Sequence, residues 1–335
     1  MSAANDISLV FSVDVEEEGL FSGRYDATAK GVSNVASLSR LEFLSRDFGL
    51  PLTLLCTWPV LSDPGCASLL RRWQGELGAE IGCHLHPWNT PPLDTATASW
   101  TPSAAMPQEL LNAKLGTLVR ACAEASGQPP ASFRMGRFDL CPAVRAMLPS
   151  HGLRVDSSMV PLRFVAGLPE HFRIPADPFP LTGHGRPDLL EASLTVVPLL
   201  CGLGSAAYAL GNLLPRPLGD GLLSGFRKFA AVGVQPVWYP LPSMKLGARL
   251  HLSRGGKVLH MFLHSSELMP GACPHLPDEA AVERVMARIR GFIHWLLALA
   301  GARGNTVRGV TLRDLADPAV QASAKVKWHD TEERP

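Results

Sequence analysis

Short apolar runs rich in β-branched and aromatic residues alternate with helical stretches along most of this chain, and no other feature restricts its fold as much. The runs lie at 8–14, 50–56, 79–84, 131–135, 152–156, 189–197 and 257–264. Helical stretches lie at 33–48, 64–77, 107–126, 140–150, 203–214, 278–301 and 310–316. Strands separated by helix-length segments pair in parallel, because a parallel return needs a crossover. Seven such strands suit an incomplete or irregular (β/α) barrel, with an open doubly wound sheet as the competing arrangement. Two helix starts are legible as well. Asp63 before Pro64 and Asp278 before Glu279 are side chains that accept from the first free backbone N–H groups of a helix.

Composition narrows the class. The 335 residues are 46% hydrophobic, enough for a large core and too apolar for wholesale disorder. Only 18% are charged, while Gly (30) and Pro (29) are abundant, which predicts long ordered loops in place of a helical bundle. A net charge of +1 excludes a nucleic-acid binder that works through a broad basic field. Seven cysteines at 56, 66, 83, 122, 141, 201 and 273 are odd in number and form no CxxC pair, so reduced buried thiols are expected. The first residues lack a basic n-region and turn acidic by Glu18, which predicts a cytoplasmic protein. Residues 192–215 carry no charge, but Pro198, Pro215 and three glycines read as strand, turn and helix, so no transmembrane span is expected. The reading is one barrel domain over 1–317. It has a long loop at 87–106, an excursion over the barrel mouth at 215–256 and a polar tail at 318–335.

Four clusters carry residue types that do chemistry, each where a run ends. In VDVEEEG (13–19), residues two apart on a strand share a face, so Asp14 and Glu16 project together, whereas Glu17 and Glu18 read as solvated loop acids. The C-terminal mouth of a first barrel strand is where such folds place catalysis. In EIGCHLHPW (80–88), His84 and His86 are again two apart, which lets two imidazoles converge on one metal beside a carboxylate. Cys83 falls on the other face and reads as packing. In SFRMGRF (132–138), Arg134 leaves a buried strand and needs an acidic partner such as Asp14, while Arg137 also suits a surface position. In VLHMFLHSSE (258–267), His264 stands at a strand exit, placed to protonate a leaving group, and His260, deeper on the same face, reads as a core histidine. Asp156 closes another run, and Glu191, alone in an apolar run, needs a buried partner. There is no P-loop, no complete GxGxxG and no GxSxG.

Taken in order, these clusters resemble the motif layout of the NodB-type polysaccharide deacetylases, carbohydrate esterase family four, from about residue 8 to 300. The resemblance implies a distorted (β/α)7 barrel that holds one divalent metal, zinc ahead of cobalt, nickel or manganese. The implied reaction removes an acetyl group from an N-acetylated sugar in a polysaccharide, an oligosaccharide or a glycan precursor. Asp14 would be the catalytic base, Glu16 and His84 metal ligands, Arg134 the arginine that orients the base, and His264 the general acid. Trp88, Arg137, Asp156 and Glu267 would contact substrate along the groove, with Trp238 and Tyr239 as further flat faces for a sugar ring.

Two departures matter. Family members commonly space the two histidines four apart, but position 88 is Trp, so third-ligand duty falls to His86 or the metal site is altered. Family members usually carry Pro and an aromatic after the arginine, where this chain has Met135-Gly136-Arg137-Phe138, and the added cation suits an acidic sugar or a phosphate. The competing functions are an allantoinase-like hydrolase of cyclic imides or ureides on the same scaffold, and a catalytically idle glycan-binding relative.

Overall fold

The computed structural model describes residues 6–23, 25, 27, 31–93, 101–165, 168–181 and 189–317. The expected tail at 318–335 and the middle of the 87–106 loop lie outside the described residues. The strands are β1 (Ile7–Val15), β2 (Leu52–Cys56), β3 (Glu80–Leu85), β4 (Ser132–Met135), β5 (Val155–Asp156), β6 (Phe179–Pro180) and β7 (Leu190–Glu191). After them come β8 (Val196–Pro198), β9 (Ala231–Gly233), β10 (Val258–His264) and β11 (Val307–Gly309). The main sheet runs β10-β1-β2-β3-β4-β5-β7-β6 and is parallel except for β6. β11 pairs with Ile7–Leu9 and β2 with Phe11–Val15, so the two share one edge of β1 end to end while β10 takes the other.

This sheet curls into a barrel whose wall is bonded as a ladder everywhere except between β7 and β10. There, the chain continuing past β7 bridges the seam. Thr195 N–H donates to the His260 carbonyl at 3.3 Å, His260 N–H donates to Thr195 Oγ1 at 2.8 Å, and Gln235 Nε2 donates to the same carbonyl at 3.1 Å. The run expected as one strand over 189–197 is therefore two. Leu190–Glu191 joins the barrel, and Val196–Pro198 pairs antiparallel with β9 in a separate ribbon.

Helices cover the outside: α1 (Glu42–Phe48), α2 (Trp58–Ser62), α3 (Pro64–Leu77), α4 (Gln108–Ser126), α5 (Pro142–Met147) and, later, α6 (Leu203–Leu213). α7 (Arg216–Ala230), α8 (Leu241–Ser253), α9 (Glu279–Gly301) and the short α10 (Leu312–Leu315) complete the set. α3 and α9 start as the sequence predicts. Asp63 accepts from Cys66 N and Asp278 from Ala281 N, both at 2.8 Å. None of the helices is long and apolar enough to cross a membrane. Residues 215–256 hold two full helices, α7 and α8, and the strand β9, which their mixture of Pro, Gly and aromatics concealed.

Alternation along the strands sorts the side chains. Leu9, Phe11, Val13, Ile81, Cys83, Leu85, Phe133, Leu259 and Leu263 pack outward under the helices in the main core. Residues of the other parity point into the barrel. Val10, Leu55, Val155 and Val258 fill it with α10 in an apolar layer, and the polar Ser12, Arg134 and His260 lie above. Gly82 is small for a reason: a Cβ there would sit 2.7 Å from Leu55 Cδ2 and 2.8 Å from the Ser132 carbonyl. Gly82→Ala is expected to lower unfolding free energy by about 1–3 kcal/mol, read as an earlier midpoint in urea with an unchanged slope.

Candidate active site

At the C-terminal mouth of the barrel the strand exits converge on a cavity of about 250 Å3. Asp14, Glu16, His84, His86, Trp88, Arg137, Phe138 and His264 line it, with Leu20, Phe21, Gly23 and Tyr25 from the segment after β1. Asp14 comes from β1, and β10 puts His264 beside it in register. His84 is paired in register with Arg134 on β4.

Arg134 is fully buried and every group around it is an acceptor. Its guanidinium donates to Asp14 Oδ1 at 2.5 Å, to Ser12 Oγ and Ser157 Oγ at 2.8 Å, and to the Ser157 carbonyl at 2.8 Å. Phe262 and Phe138 flank it, 4.9 and 5.5 Å from the guanidinium carbon. Burial alone would raise the Asp14 pKa, but Arg134, His84 and His264 outweigh it and hold the carboxyl below its ordinary value of 3.8.

Glu16, His84 and His86 form a triangle. The two imidazole Nε2 atoms are 3.1 Å apart, and Glu16 Oε2 lies 3.6 Å from the first and 3.5 Å from the second. The outer nitrogens fix what the inner ones present. His84 Nδ1 lies 3.0 Å from the Arg134 carbonyl and His86 Nδ1 3.0 Å from Glu17 Oε1, both acceptors, so each Nδ1 carries the proton. Both Nε2 lone pairs then face one point beside a carboxylate, an arrangement that calls for a cation. A tetrahedral centre with bonds of about 2.0–2.2 Å sets its donors about 3.3–3.6 Å apart. Both carboxylate–imidazole separations match and the imidazole pair at 3.1 Å is slightly closer, so a small adjustment fits a divalent metal to this donor set. It is also a group of three buried ligand side chains within 4.8 Å of one another.

Two supports of this triangle escaped the sequence reading. Glu17 is no solvated loop acid. It is buried, accepts from His86 Nδ1, from Asn89 Nδ2 at 2.6 Å and from Thr57 Oγ1 at 3.0 Å, and despite burial His86 draws its pKa down to about 2. Past the end of β1 it points opposite to Glu16 and reaches the far side of the His86 ring. Gly136 is the second. A Cβ there would lie 2.6 Å from His86 Cδ2 and 2.7 Å from the Leu85 carbonyl. The imidazole two residues after His84 occupies the space a larger residue would need, so the His-x-His spacing and the glycine after Arg134-Met135 belong together. Lys114 adds a third tie, donating at 2.7 Å to the Thr90 and Pro92 carbonyls of the loop that follows His86.

The remaining predicted residues divide. His264 lines the cavity, with Nδ1 3.1 Å from Glu267 Oε2. Burial opposes its charge, but Glu267, Glu16 and Asp14 hold its pKa up to about 9. Glu267, expected against substrate, is buried behind His264 and also takes His264 N–H at 2.8 Å and His275 Nε2 at 3.0 Å. Asp156, also expected along the groove, is buried in the barrel wall opposite Glu191, accepting from Ser158 Oγ. Trp88 lines the cavity, but His86 stacks on its ring at 4.3 Å, so that face is taken. Arg137 sits at the rim over Tyr25, 4.7 Å from the ring centre. It and Phe138 both take left-handed backbone, φ 57° and 55°, a strain of about 1–3 kcal/mol each that turns Arg137 to the rim and Phe138 in beside Arg134. His260 is the core histidine expected, bonded to Ser12 at 2.8 Å. Trp238 and Tyr239 line a separate groove with Arg227.

No family model and no curated protein matches the sequence. Many solved structures match its fold, among them two with TM-scores above 0.5. One, assigned to a polysaccharide deacetylase of Mycobacterium smegmatis, is 14% identical over 98% of this chain and 96% of that one, with a TM-score of 0.55. The fold is that of the NodB-type polysaccharide deacetylases. The other, assigned to a glycoside hydrolase/deacetylase of Parabacteroides distasonis, is 12% identical over 93% of this chain and 70% of that one, with a TM-score of 0.57. Within this deacetylase fold, the two-residue histidine spacing is read against Gly136 and Glu17 as one unit. Glu17→Gln is expected to weaken zinc binding about 10–100-fold, and Gly136→Ala at least as much. Asp14→Asn should leave it near wild type. Competition with a chelating dye measures all three, and unchanged affinity in both Glu17→Gln and Gly136→Ala would remove the coupling.

Proposed function

We propose that this chain is a metal-dependent hydrolase that removes the acetyl group of an N-acetylated sugar. The observation that carries the reading is one cavity holding a metal-fitting donor triangle, an ionised carboxylate clamped by a buried arginine, and a histidine held protonated. Glu16, His84 and His86 would hold the ion, and a divalent metal such as zinc would there supply Lewis acidity to the acetyl carbonyl.

The chain's own residues do the rest. Asp14, kept ionised and fixed by Arg134, takes the proton of the attacking water. His264, kept charged by Glu267, donates through Nε2 to the departing amine nitrogen, its Nδ1 proton being held by Glu267. The walls of the cavity, Phe21, Tyr25, Trp88 and Phe138, offer apolar contact to the acetyl methyl and the ring. Arg137 at the rim is the cation an anionic substituent on the sugar would meet. The free state of all seven cysteines supports a reducing compartment and so a cytoplasmic setting.

Acetate release from N-acetylated oligosaccharides, with elemental analysis of the purified protein, tests the reading. Chelation should abolish release and zinc restore it. Asp14→Asn should lower kcat about 10²–10⁴-fold with the metal retained. A protein that holds no stoichiometric metal, or whose release survives Asp14→Asn, rules the mechanism out.

The pH profile supplies a second test. Release should hold through neutral pH and fall as His264 loses its proton near pH 9. Glu267 favours the charged imidazole, so Glu267→Gln should move that alkaline limb to lower pH. A limb that stays put would deny His264 the role of acid.

A further inference from the structure

The uncharged stretch that the sequence flags at 192–215 has no part in the chemistry above, and the structure shows what it forms. Its second half is α6, which turns at 213–216 into α7 to make a helical hairpin beside the barrel mouth. The hairpin is tightly built: a Cβ on Gly219 would lie 2.1 Å from the Gly211 carbonyl oxygen. One face of each helix is spent on packing. Ala207, Leu223 and Phe226 join a core with Phe262, against which Phe138 also packs, and these two rings flank Arg134.

A second apolar face of each helix is left in the open. On α6, Ala206, Leu210 and Leu213 recur at helical spacing, and on α7 so do Leu218 and Phe229, with Leu222 half-buried between them. Of eight exposed large apolar side chains among the described residues, five lie here: Leu200, Leu210, Leu213, Leu218 and Phe229. Leu213 is 83% and Phe229 84% exposed, far beyond what a buried or half-buried role would leave. Leu199 N–H donates to the Ala230 carbonyl at 2.9 Å, which brings Leu200 and Phe229 to one end of the hairpin, while the turn brings Leu213 and Leu218 to the other.

The charges around these faces are mostly basic. Residues 199–230 hold Arg216, Arg227 and Lys228 against the lone carboxylate of Asp220. Two further arginines brace the same unit. Arg254 donates to the Pro198 and Leu199 carbonyls at 2.7 and 3.0 Å, and Arg173 lies over the Tyr208 ring at 5.3 Å.

We propose that the α6–α7 hairpin docks on the surface of a lipid bilayer that carries anionic headgroups. Leucines and a phenylalanine insert at the acyl boundary while the exposed Arg216 and Lys228 meet the headgroup phosphates, as for an interfacial amphipathic helix. At 11 and 15 residues the two helices lie along the surface, since neither is long enough to span it. A second copy of the chain fits less well. A two-fold contact would set these cations against themselves. Through Phe138 and Phe262 the docked hairpin is packed directly against the wall of the active cavity, so the mouth lies beside the membrane.

Flotation of the full-length protein with phosphatidylglycerol/phosphatidylcholine vesicles tests the proposal without reference to enzymatic activity. Wild type should float with these vesicles, more weakly at high salt and more weakly still with phosphatidylcholine alone. The double variant Leu213→Glu, Phe229→Glu touches only exposed positions, so its Tm should match wild type while partitioning falls about a hundredfold. A blue-shifted signal from an environment-sensitive dye on Cys201, the exposed thiol at the base of the hairpin, reports insertion directly. Wild type that stays with the soluble fraction, or a variant that floats as well, overturns the proposal. So does a dimer that the variant splits, with no flotation, which would assign the face to a second copy.

Discussion

A guanidinium enclosed in a barrel leaves its surroundings few options, and the site is arranged by what Arg134 requires. Every donor it has must find an acceptor, and these are Asp14 and Ser12 from β1 and the backbone and side chain of Ser157 at the β5 exit. The pairing ties β1 to β4 and the β5 exit across the barrel interior. Taking away the arginine would leave Asp14 charged and unpaired, at a cost of about 3–5 kcal/mol. The same cation excludes a second one nearby. His260, two layers below the mouth, is pushed down to about 3 by burial and by Arg134, so it stays neutral and bridges Ser12 to the open seam. His264, facing acids where His260 faces an arginine, is driven the opposite way. Two histidines four apart on one strand thus take opposite charge states, a difference imposed by their neighbours across the barrel.

The wall beside the seam shows a related economy. Asp156 and Glu191 face one another in register across β5 and β7. Burial raises both, Asp156 to about 6 and Glu191 well above its usual range because Asp156 lies against it. Sharing one proton leaves the pair a single negative charge, in place of two, on the wall beside Arg134. Glu191 has the buried partner its apolar run demanded, and Asp156 serves in the wall, away from the groove.

Much of this was open to reading in one dimension. Alternation of strand and helix gave a parallel α/β sheet, as a barrel or an open sheet, because parallel pairing follows from crossover length. Period-two spacing put Asp14 with Glu16 and His84 with His86, because side chains two apart share a face whatever the tertiary context. Asp63 and Asp278 capped helices since their carboxylates serve the chain three residues ahead. What escaped was set by contacts distant in sequence. Glu17 looks like its neighbour Glu18, and only the loop after His86 makes it a support for a ligand. Gly136 looks like a flexible joint until the His86 ring is seen filling the place of its side chain. The run 189–197 splits since Thr195 is claimed by β10, not by a continued ladder. Residues 215–256 hid α7 and α8 because Gly and Pro there serve close helix contact and helix starts, where local rules read them as breaks.

The sequence by itself determined the parallel α/β class, the strand ends that carry chemistry and the pairs of side chains that share a face, since each depends on backbone periodicity alone. Only the tertiary structure decided the state of each group. Which acid holds a histidine proton, which histidine is charged, which carboxylate is walled off and which apolar helix face stays open all depend on what the fold brings within a few ångströms. Burial and opposite charge act across space, and no spacing along the chain records them.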